Sequence, residues 1–239
     1  DISIIIPVYN EEQSLKQLSS RIERVLDGLN KSYEIIFVDD GSTDKTFSIL
    51  KELYEEGNNT LKVIRFRRNF GKSAALTAGF EHAKGDFIIT MDGDLQDDPE
   101  EIPNFIEKIK EDYDLIVGWK AERKDPMGKK ITSKIFNKLT VWLTGVKVHD
   151  SNCCFKIFRR DVVKNIKVHG ELHRYIPALV YWQGYKIAEI KVRHYPRKYG
   201  KSKYGFTRLF KGFLDLITVK FLMTYLTRPI HFFGQAGLI

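Results

Sequence analysis

The sequence has few cysteines and lacks a long uncharged apolar run. Its 239 residues include two cysteines, the neighbours Cys153 and Cys154, so it has neither a disulfide framework nor the ligand spacing of a zinc knuckle. It has no uncharged apolar stretch of about 18 residues, the length that a membrane-spanning helix needs. The GxxxxGK[ST] spacing of a Walker A loop is also missing. These absences argue against a disulfide-rich secreted domain and against a P-loop nucleotidase.

Charge is divided unevenly along the chain. Residues 1–119 contain 14 Lys+Arg and 24 Asp+Glu, and residues 120–239 contain 25 and 7, so the two net charges are −10 and +18. Clustered aspartates in the acidic half indicate a metal ion. The basic half indicates a polyanion, a phosphorylated ligand or an anionic membrane surface, with nucleic acid among the alternatives.

Strand and helix patterns alternate through the first half, which is typical of βαβ units and a mostly parallel sheet flanked by helices. The apolar runs predict strands over Ile2–Val8, Tyr33–Val38, Leu61–Phe66, Asp86–Met91, Leu115–Gly118, residues 155–158 and Ile187–Val192. Ser42 or Thr43 is predicted to cap the second helix. We expect one α/β domain over residues 1–205, with a donor half 1–119 and an acceptor half 120–205.

Polar loops follow three of the predicted strands directly. They are Asn10–Glu11, Asp39–Ser42 and Asp92–Asp94. Ligands of open α/β sheets bind beyond the carboxyl ends of the strands, so these loops should line one crevice. Asp92 and Asp94 can converge on Mg²⁺ or Mn²⁺ whose other ligands are diphosphate oxygens. The acids of residues 97–101 are interpreted instead as complements of a helix dipole.

Two further loops have the composition of a nucleotide site. One carboxylate of Asp39–Asp40 can hydrogen-bond a base or ribose, although helix capping is an equal alternative, and Tyr9 can stack on either group. The segment NFGKSAALTAG places Lys72 and small residues at a helix start, which is a plausible anion site.

In this order and spacing, IPVYNEE, VDDGSTD, NFGKSAALTAGF and MDGDLQDDP closely resemble the inverting glycosyltransferases of family 2, which have the GT-A fold. Within that family the chain is similar to polyprenyl-phosphate and dolichyl-phosphate sugar transferases. The resemblance implies metal-dependent transfer of a hexose or N-acetylhexosamine to polyprenyl or dolichyl phosphate with inversion. The NFGK loop and the RPIHFFGQAGL segment look more like those of the glucosyl-type members, and this resemblance favours a UDP-sugar donor over GDP-mannose.

The resemblance, together with the loops above, assigns site residues. The predicted metal ligands, also predicted to be catalytic, are Asp92 and Asp94. The predicted nucleotide-binding residues are Pro7, Tyr9, Asn10, Glu11, Val38, Asp39, Asp40, Lys72 and Gln96. The predicted lipid-phosphate-binding residues are Lys120, Arg123, Lys134, Arg197 and Lys203.

The segment DSNCCFKIF departs from the family pattern. Some relatives have an acid immediately before the Phe, and this chain has Cys154 there, so Asp150 is the nearest carboxylate in sequence and the third predicted catalytic residue. Structural roles are predicted for both cysteines. A general base is not required, because a phosphate monoester has its second pKa near about 6 and can attack as a dianion.

Residues 206–239 are rich in Phe and Leu but are interrupted by charges. We expect amphipathic helices at the membrane interface, leading towards a transmembrane region, on the cytoplasmic face. An ordinary amphipathic helix packed on the domain is the alternative.

Partnership with nucleic acid is not expected, and a homo-oligomer is left open. Two rival functions are a transferase acting on a soluble or lipid-linked saccharide and a non-catalytic basic module that binds anionic lipid or nucleic acid.

Overall fold

A computed structural model describes residues 1–56, 59–121, 139–166, 168–199 and 207–225. The strands are β1 Ile2–Val8, β2 Tyr33–Asp39, β3 Leu61–Arg65, β4 Phe87–Thr90, β5 Leu115–Trp119, β6 Lys156–Arg159 and β7 Ile187–Lys191. The helices are α1 Leu15–Asp27, α2 Thr46–Glu55, α3 Lys72–His82, α4 Ile102–Lys110, α5 Arg160–Asn165, α6 Ile176–Trp182 and α7 Thr207–Tyr225. Residues 139–144 are also helical, and short 3₁₀ turns cover Pro99–Glu101 and Leu172–Tyr175.

All seven strands form one sheet in the order β3-β2-β1-β4-β6-β5-β7. Strands β3, β2, β1 and β4 are parallel, and β6 runs antiparallel between β4 and β5. The mostly parallel sheet is therefore confirmed. The sequence pattern did not predict that β6, from the second half of the chain, would separate two strands of the first half.

The central strands are nearly continuous apolar runs because both faces of the sheet are covered. Ile4, Ile5, Ile35 and Ile89 have no exposed surface, as expected for parallel strands between helix layers. Helix α1 buries its apolar side, including Leu15, and α3 begins at Lys72 as predicted. This packing holds the ends of β1, β2 and β4 at the same edge of the sheet.

Helix α2 begins later than the sequence indicates. It starts at Thr46, whose N–H donates to Asp44 Oδ1 at 2.9 Å, so the prediction that Ser42 or Thr43 caps this helix is wrong. The Ser42 hydroxyl instead accepts the N–H of Asn10 at 3.0 Å. That bond joins the loop after β1 to the loop after β2, a pairing that local sequence does not indicate.

Helix α7 packs on the domain. Leu216 and Val219 have no exposed surface, whereas Leu214 and Ile217 are about half exposed. Within the described ranges, no helix combines the length and the apolar character that crossing a bilayer requires. The boundary at residue 205 and the interfacial role of residues 206–239 stay predictions.

Candidate active site at the end of the fourth strand

The loop that follows β4 carries the two predicted metal ligands. Asp92 is one-third exposed and Asp94 is 8% exposed in its side chain. Leu95, the next residue, has φ of +62°, a left-handed conformation that is uncommon for a bulky side chain. Backbone strain of this kind is concentrated at functional sites, where the surrounding structure imposes it. Here it accompanies a turn in which the Gln96 N–H donates to Asp94 Oδ1 at 3.1 Å.

Basic side chains neutralise both carboxylates. The Lys72 ammonium contacts Asp92 Oδ1, and Arg197 Nη2 lies 2.6 Å from Asp94 Oδ2. Arg197 Nη1 is also 3.7 Å from Glu11 Oε1, so one guanidinium spans the loops after β1 and β4. The structure thus brings together five residues that the sequence assigned to three different ligands.

The electrostatics of the two aspartates differ. Burial opposes ionisation of Asp92, but the charges of Lys72 and Lys120 outweigh it and hold the pKa of that carboxyl well below its usual value. Burial, together with the charges of Asp92 and Asp97, raises the pKa of Asp94. Neighbouring charges thus favour ionisation of Asp92 and oppose ionisation of Asp94.

The donor set fits a hard divalent cation. Each carboxylate presents oxygen ligands at the same strand end, and Mg²⁺ is commonly held by one or two carboxylates plus phosphate oxygens. Among the described residues, no three His, Cys, Asp or Glu side chains gather as a metal site. Lys72 and Arg197 would have to release the carboxylates for a cation and a diphosphate to bind there.

Asp39 and Asp40 are more deeply integrated into the fold than their motif indicates. Asp40 accepts the N–H groups of Phe70 at 2.7 Å and Gly71 at 3.0 Å, and Asp39 accepts the N–H of Ser42 at 2.9 Å. Burial raises the pKa of Asp40 against the effect of those hydrogen bonds. These carboxylates shape the loop that presents Lys72, and their contact with a nucleotide stays a prediction.

The remaining predicted nucleotide residues lie around the same edge. Tyr9 and Pro7 are partly buried, and Val38 is fully buried in β2. Asn10 Oδ1 accepts the N–H of Thr43 at 2.8 Å. Gln96 Nε2 donates to the Tyr195 carbonyl oxygen at 3.2 Å, which ties the β4 loop to the segment that carries Arg197.

The acids after Asp94 are not simply complements of a helix dipole. Asp97 and Asp98 have no exposed surface. Asp97 pairs with Lys120 at 2.8 Å and accepts the N–H of Asp92, and Asp98 pairs with Arg21 at 2.6 Å. Asp98 does accept the Glu100 N–H at the start of the 3₁₀ turn, so the dipole interpretation is correct only in part. The sequence did not reveal that these acids brace the strand-end loop.

Lys120 is buried in that ion pair. Burial disfavours its charge, but Asp97 outweighs the penalty and raises the pKa of Lys120 well above its ordinary value. Its role in binding lipid phosphate stays a prediction. Arg123, Lys134 and Lys203, predicted for the same role, lie outside the described residues.

Asp150 is buried in the loop that precedes β6. Its backbone N–H donates to Glu189 Oε1 at 3.2 Å, and its catalytic role stays a prediction. Cys153 and Cys154 are free thiols, and burial raises the pKa of each to about 12. Those values agree with the prediction that the cysteines are structural.

Comparison with known proteins agrees with this architecture. The family model described as Glycosyl transferase family 2 matches residues 3–167. The chain belongs to glycosyl transferase family 2. The dodecaprenyl-phosphate galacturonate synthase of Rhizobium johnstonii is 42% identical over 242 residues, covering 100% of this chain and 72% of that protein. An undecaprenyl-phosphate 4-deoxy-4-formamido-L-arabinose transferase of Shewanella sediminis is 42% identical over 236 residues, covering 99% and 70%.

A solved structure shares the GT-A fold of this family. Glucosyl-3-phosphoglycerate synthase from Mycobacterium tuberculosis, crystallised with Mn²⁺, UDP and phosphoglyceric acid, superposes with a TM-score of 0.68 at 18% identity. The match covers 93% of this chain and 78% of that one. At this identity the likeness establishes the fold, and the predicted α/β GT-A fold is confirmed.

Proposed function

We propose that this glycosyltransferase moves a sugar from a UDP-sugar to the phosphate of a polyprenyl lipid, with inversion at the anomeric carbon. One observation carries the proposal: Asp92 and Asp94 meet Lys72 and Arg197 at the carboxyl edge of the sheet. Acidic groups from the donor half and a basic group from the acceptor half thereby share one site. The names of the two relatives, both sugar transferases for polyprenyl phosphates, support the lipid acceptor.

The protein residues would act by holding and orienting two anions. Mg²⁺ or Mn²⁺ held by Asp92 and Asp94 would supply Lewis-acid stabilisation of the departing diphosphate. Arg197, whose guanidinium lies 2.6 Å from Asp94, would bind the incoming phosphate through charge-assisted hydrogen bonds. When the phosphate is held in line with the anomeric carbon, a bimolecular reaction becomes effectively unimolecular, which lowers its entropic barrier. The acceptor dianion needs no base, so the mechanism does not depend on Asp150.

The amount of radiolabelled sugar that moves into the organic phase tests the proposed function. The protein is incubated with undecaprenyl phosphate, Mn²⁺ and radiolabelled UDP-sugars, and label is counted in the organic phase. Label that enters that phase only when undecaprenyl phosphate is present supports the proposal. Equal transfer to a soluble saccharide without lipid would contradict it and favour the soluble-acceptor alternative.

Arg197→Gln is expected to weaken binding of the lipid phosphate. Charge-assisted hydrogen bonds contribute about 1.5–3 kcal/mol, so the KM for undecaprenyl phosphate should rise about 10- to 100-fold. Arg24→Gln, which removes an exposed guanidinium from α1, is the matched control. A steady-state titration of the lipid measures both variants, and an unchanged KM in Arg197→Gln would remove this residue from the acceptor site.

The acceptor side also exposes apolar side chains that fit a membrane surface. Trp142 is 77% exposed, and Tyr181 and Trp182 are 50% and 39% exposed. A Cβ at Gly145 would lie 4.0 Å from Tyr181 Cε1, so residues 139–145 and α6 are neighbours. Aromatic residues are favoured at membrane interfaces, and the basic half adds attraction to anionic lipids. We therefore propose association with a membrane surface.

Trp142→Ser is expected to reduce binding to vesicles. Loss of an interfacial aromatic should lower the fraction that sediments with phosphatidylglycerol-containing vesicles about 3- to 10-fold. Tyr54→Ser removes a 57% exposed aromatic from α2 and provides the control. If both variants sediment like the wild type, this face does not contact the membrane.

A further inference from the structure

A small cavity lies beside Lys72, whose ammonium contacts Asp92. Its lining includes Lys72, Thr90, Cys154, Lys156 and His173. Thr90 is the last residue of β4 before the metal-ligand loop, and it is directly opposite Lys156 in the antiparallel ladder. The cavity therefore adjoins the position where the reacting end of a donor would sit, and the mechanism above does not use Lys156.

Lys156 brings a buried ammonium group to this cavity. It is 2% exposed, and its ammonium donates to the backbone carbonyl of Cys153. Among the described residues, no carboxylate lies within salt-bridge distance of this ammonium, although Asp150 acts on it from farther away. Burial lowers the pKa of Lys156, and the charge of Lys72 adds to that effect. A buried cation without an ion-pair partner costs free energy that a bound anion can offset.

The balance of charge selects the kind of anion. Among the described residues, Asp92 already balances Lys72, so the excess at the cavity is the one positive charge of Lys156. The cavity volume of about 10 Å³ has room for about one water molecule, so a sugar ring cannot enter it. A single carboxylate substituent has the matching charge and can reach in with one oxygen. A phosphate dianion would exceed both the charge and the space.

We infer that the donor sugar is a hexuronate and that Lys156 recognises its carboxylate. The inference rests on the proposed function and names its substrate class. The two relatives differ in their sugars at the same identity of 42%, so overall similarity does not make this choice. A neutral hydroxymethyl group in the same place would leave the ammonium without a counter-charge, and it would be rejected for that reason.

Matched donors test the inference. UDP-glucuronate is compared with UDP-glucose, and UDP-galacturonate with UDP-galactose, in transfer assays and in equilibrium binding without lipid. One of the uronates should exceed its neutral partner by at least about 100-fold in kcat/KM and should bind more tightly. In Lys156→Met the ratio should fall below about 10-fold. Lys16→Met, on the exposed surface of α1, should keep the wild-type ratio.

The outcomes separate the inference from the proposed function. Selective uronate binding without lipid transfer would retain the inference and overturn the lipid acceptor. Equal transfer from neutral and acidic donors would overturn the inference alone. A Lys156→Met variant that raises the KM for undecaprenyl phosphate equally with both donors would also overturn it, because the lysine would then serve the acceptor. Lys156→Met should melt no lower than the wild type, because it removes a buried unpaired charge.

Discussion

Asp94→Asn is expected to lower sugar transfer by about 1,000-fold while the protein stays folded. The change keeps the shape of the side chain but removes the charge that would hold a cation against the diphosphate. Metal stabilisation of a leaving group contributes several kcal/mol, and each 1.4 kcal/mol corresponds to about a factor of ten in rate. The buried position of Asp94, with Arg197 against one oxygen and the Gln96 N–H against the other, allows little rearrangement to replace it.

The control for this variant lies at the other end of the same strand. Asp86 precedes β4, its side chain is 61% exposed, and Asp86→Asn makes the same chemical change away from the site. Transfer rate, calorimetric binding of UDP-sugar with Mn²⁺, and melting temperature are measured for both. The assignment fails if Asp94→Asn turns over at the wild-type rate, or if Asp86→Asn loses as much activity.

Gly41→Ala is expected to destabilise the protein by about 3 kcal/mol or more. Gly41 has φ of +71°, and an added Cβ would lie 2.4 Å from the Arg68 carbonyl carbon and 2.7 Å from its Cα. The left-handed conformation costs about 1–2 kcal/mol for a residue with a Cβ, and the overlap with backbone atoms adds at least as much. The loop after β2 would have to move away from residues 68–71, which Asp40 now holds.

Gly170→Ala is the matched control for backbone conformation without crowding. Its φ is +55°, and nothing lies within 4 Å of an added Cβ, so the expected cost is about 1 kcal/mol. Urea denaturation of both variants gives the two free energies of unfolding. Equal losses would show that the contact between Gly41 and Arg68 does not constrain the fold. A larger loss in Gly41→Ala should be accompanied by weaker UDP-sugar binding.

Local sequence was enough to predict the strands and the edge of the sheet that carries the site. The apolar runs of β1, β2 and β3 and the start of α3 at Lys72 follow from periodicity and from residue types that favour each element. The order of the polar loops placed Asp92 and Asp94 at a strand end. The carboxyl ends of parallel strands lie at one edge of a sheet. The crevice was therefore predictable without knowledge of which side chains contact each other there.

The antiparallel insertion of β6 could not be predicted, because strand order depends on packing among distant segments. The same holds for the partners of buried charges. Asp97 and Lys120 are 23 residues apart in the sequence. The residues that flank each of them do not show whether the two side chains form a buried ion pair or are both exposed to solvent. A lysine within the apolar run FKIF was a signal that Lys156 is buried, but only the packed sheet shows it beside a cavity.

By itself, the sequence determined the family, the alternation of strands and helices, and the acids that follow β4, since these depend on residue type and spacing. Only the tertiary structure decided which charge neutralises which. Arg197 lies against Asp94 although 103 positions separate them, and Lys156 is left without a carboxylate in salt-bridge distance among the described residues. Electrostatic interactions act across space and grow as water is excluded, so the distribution of charge becomes specific only when distant segments pack together.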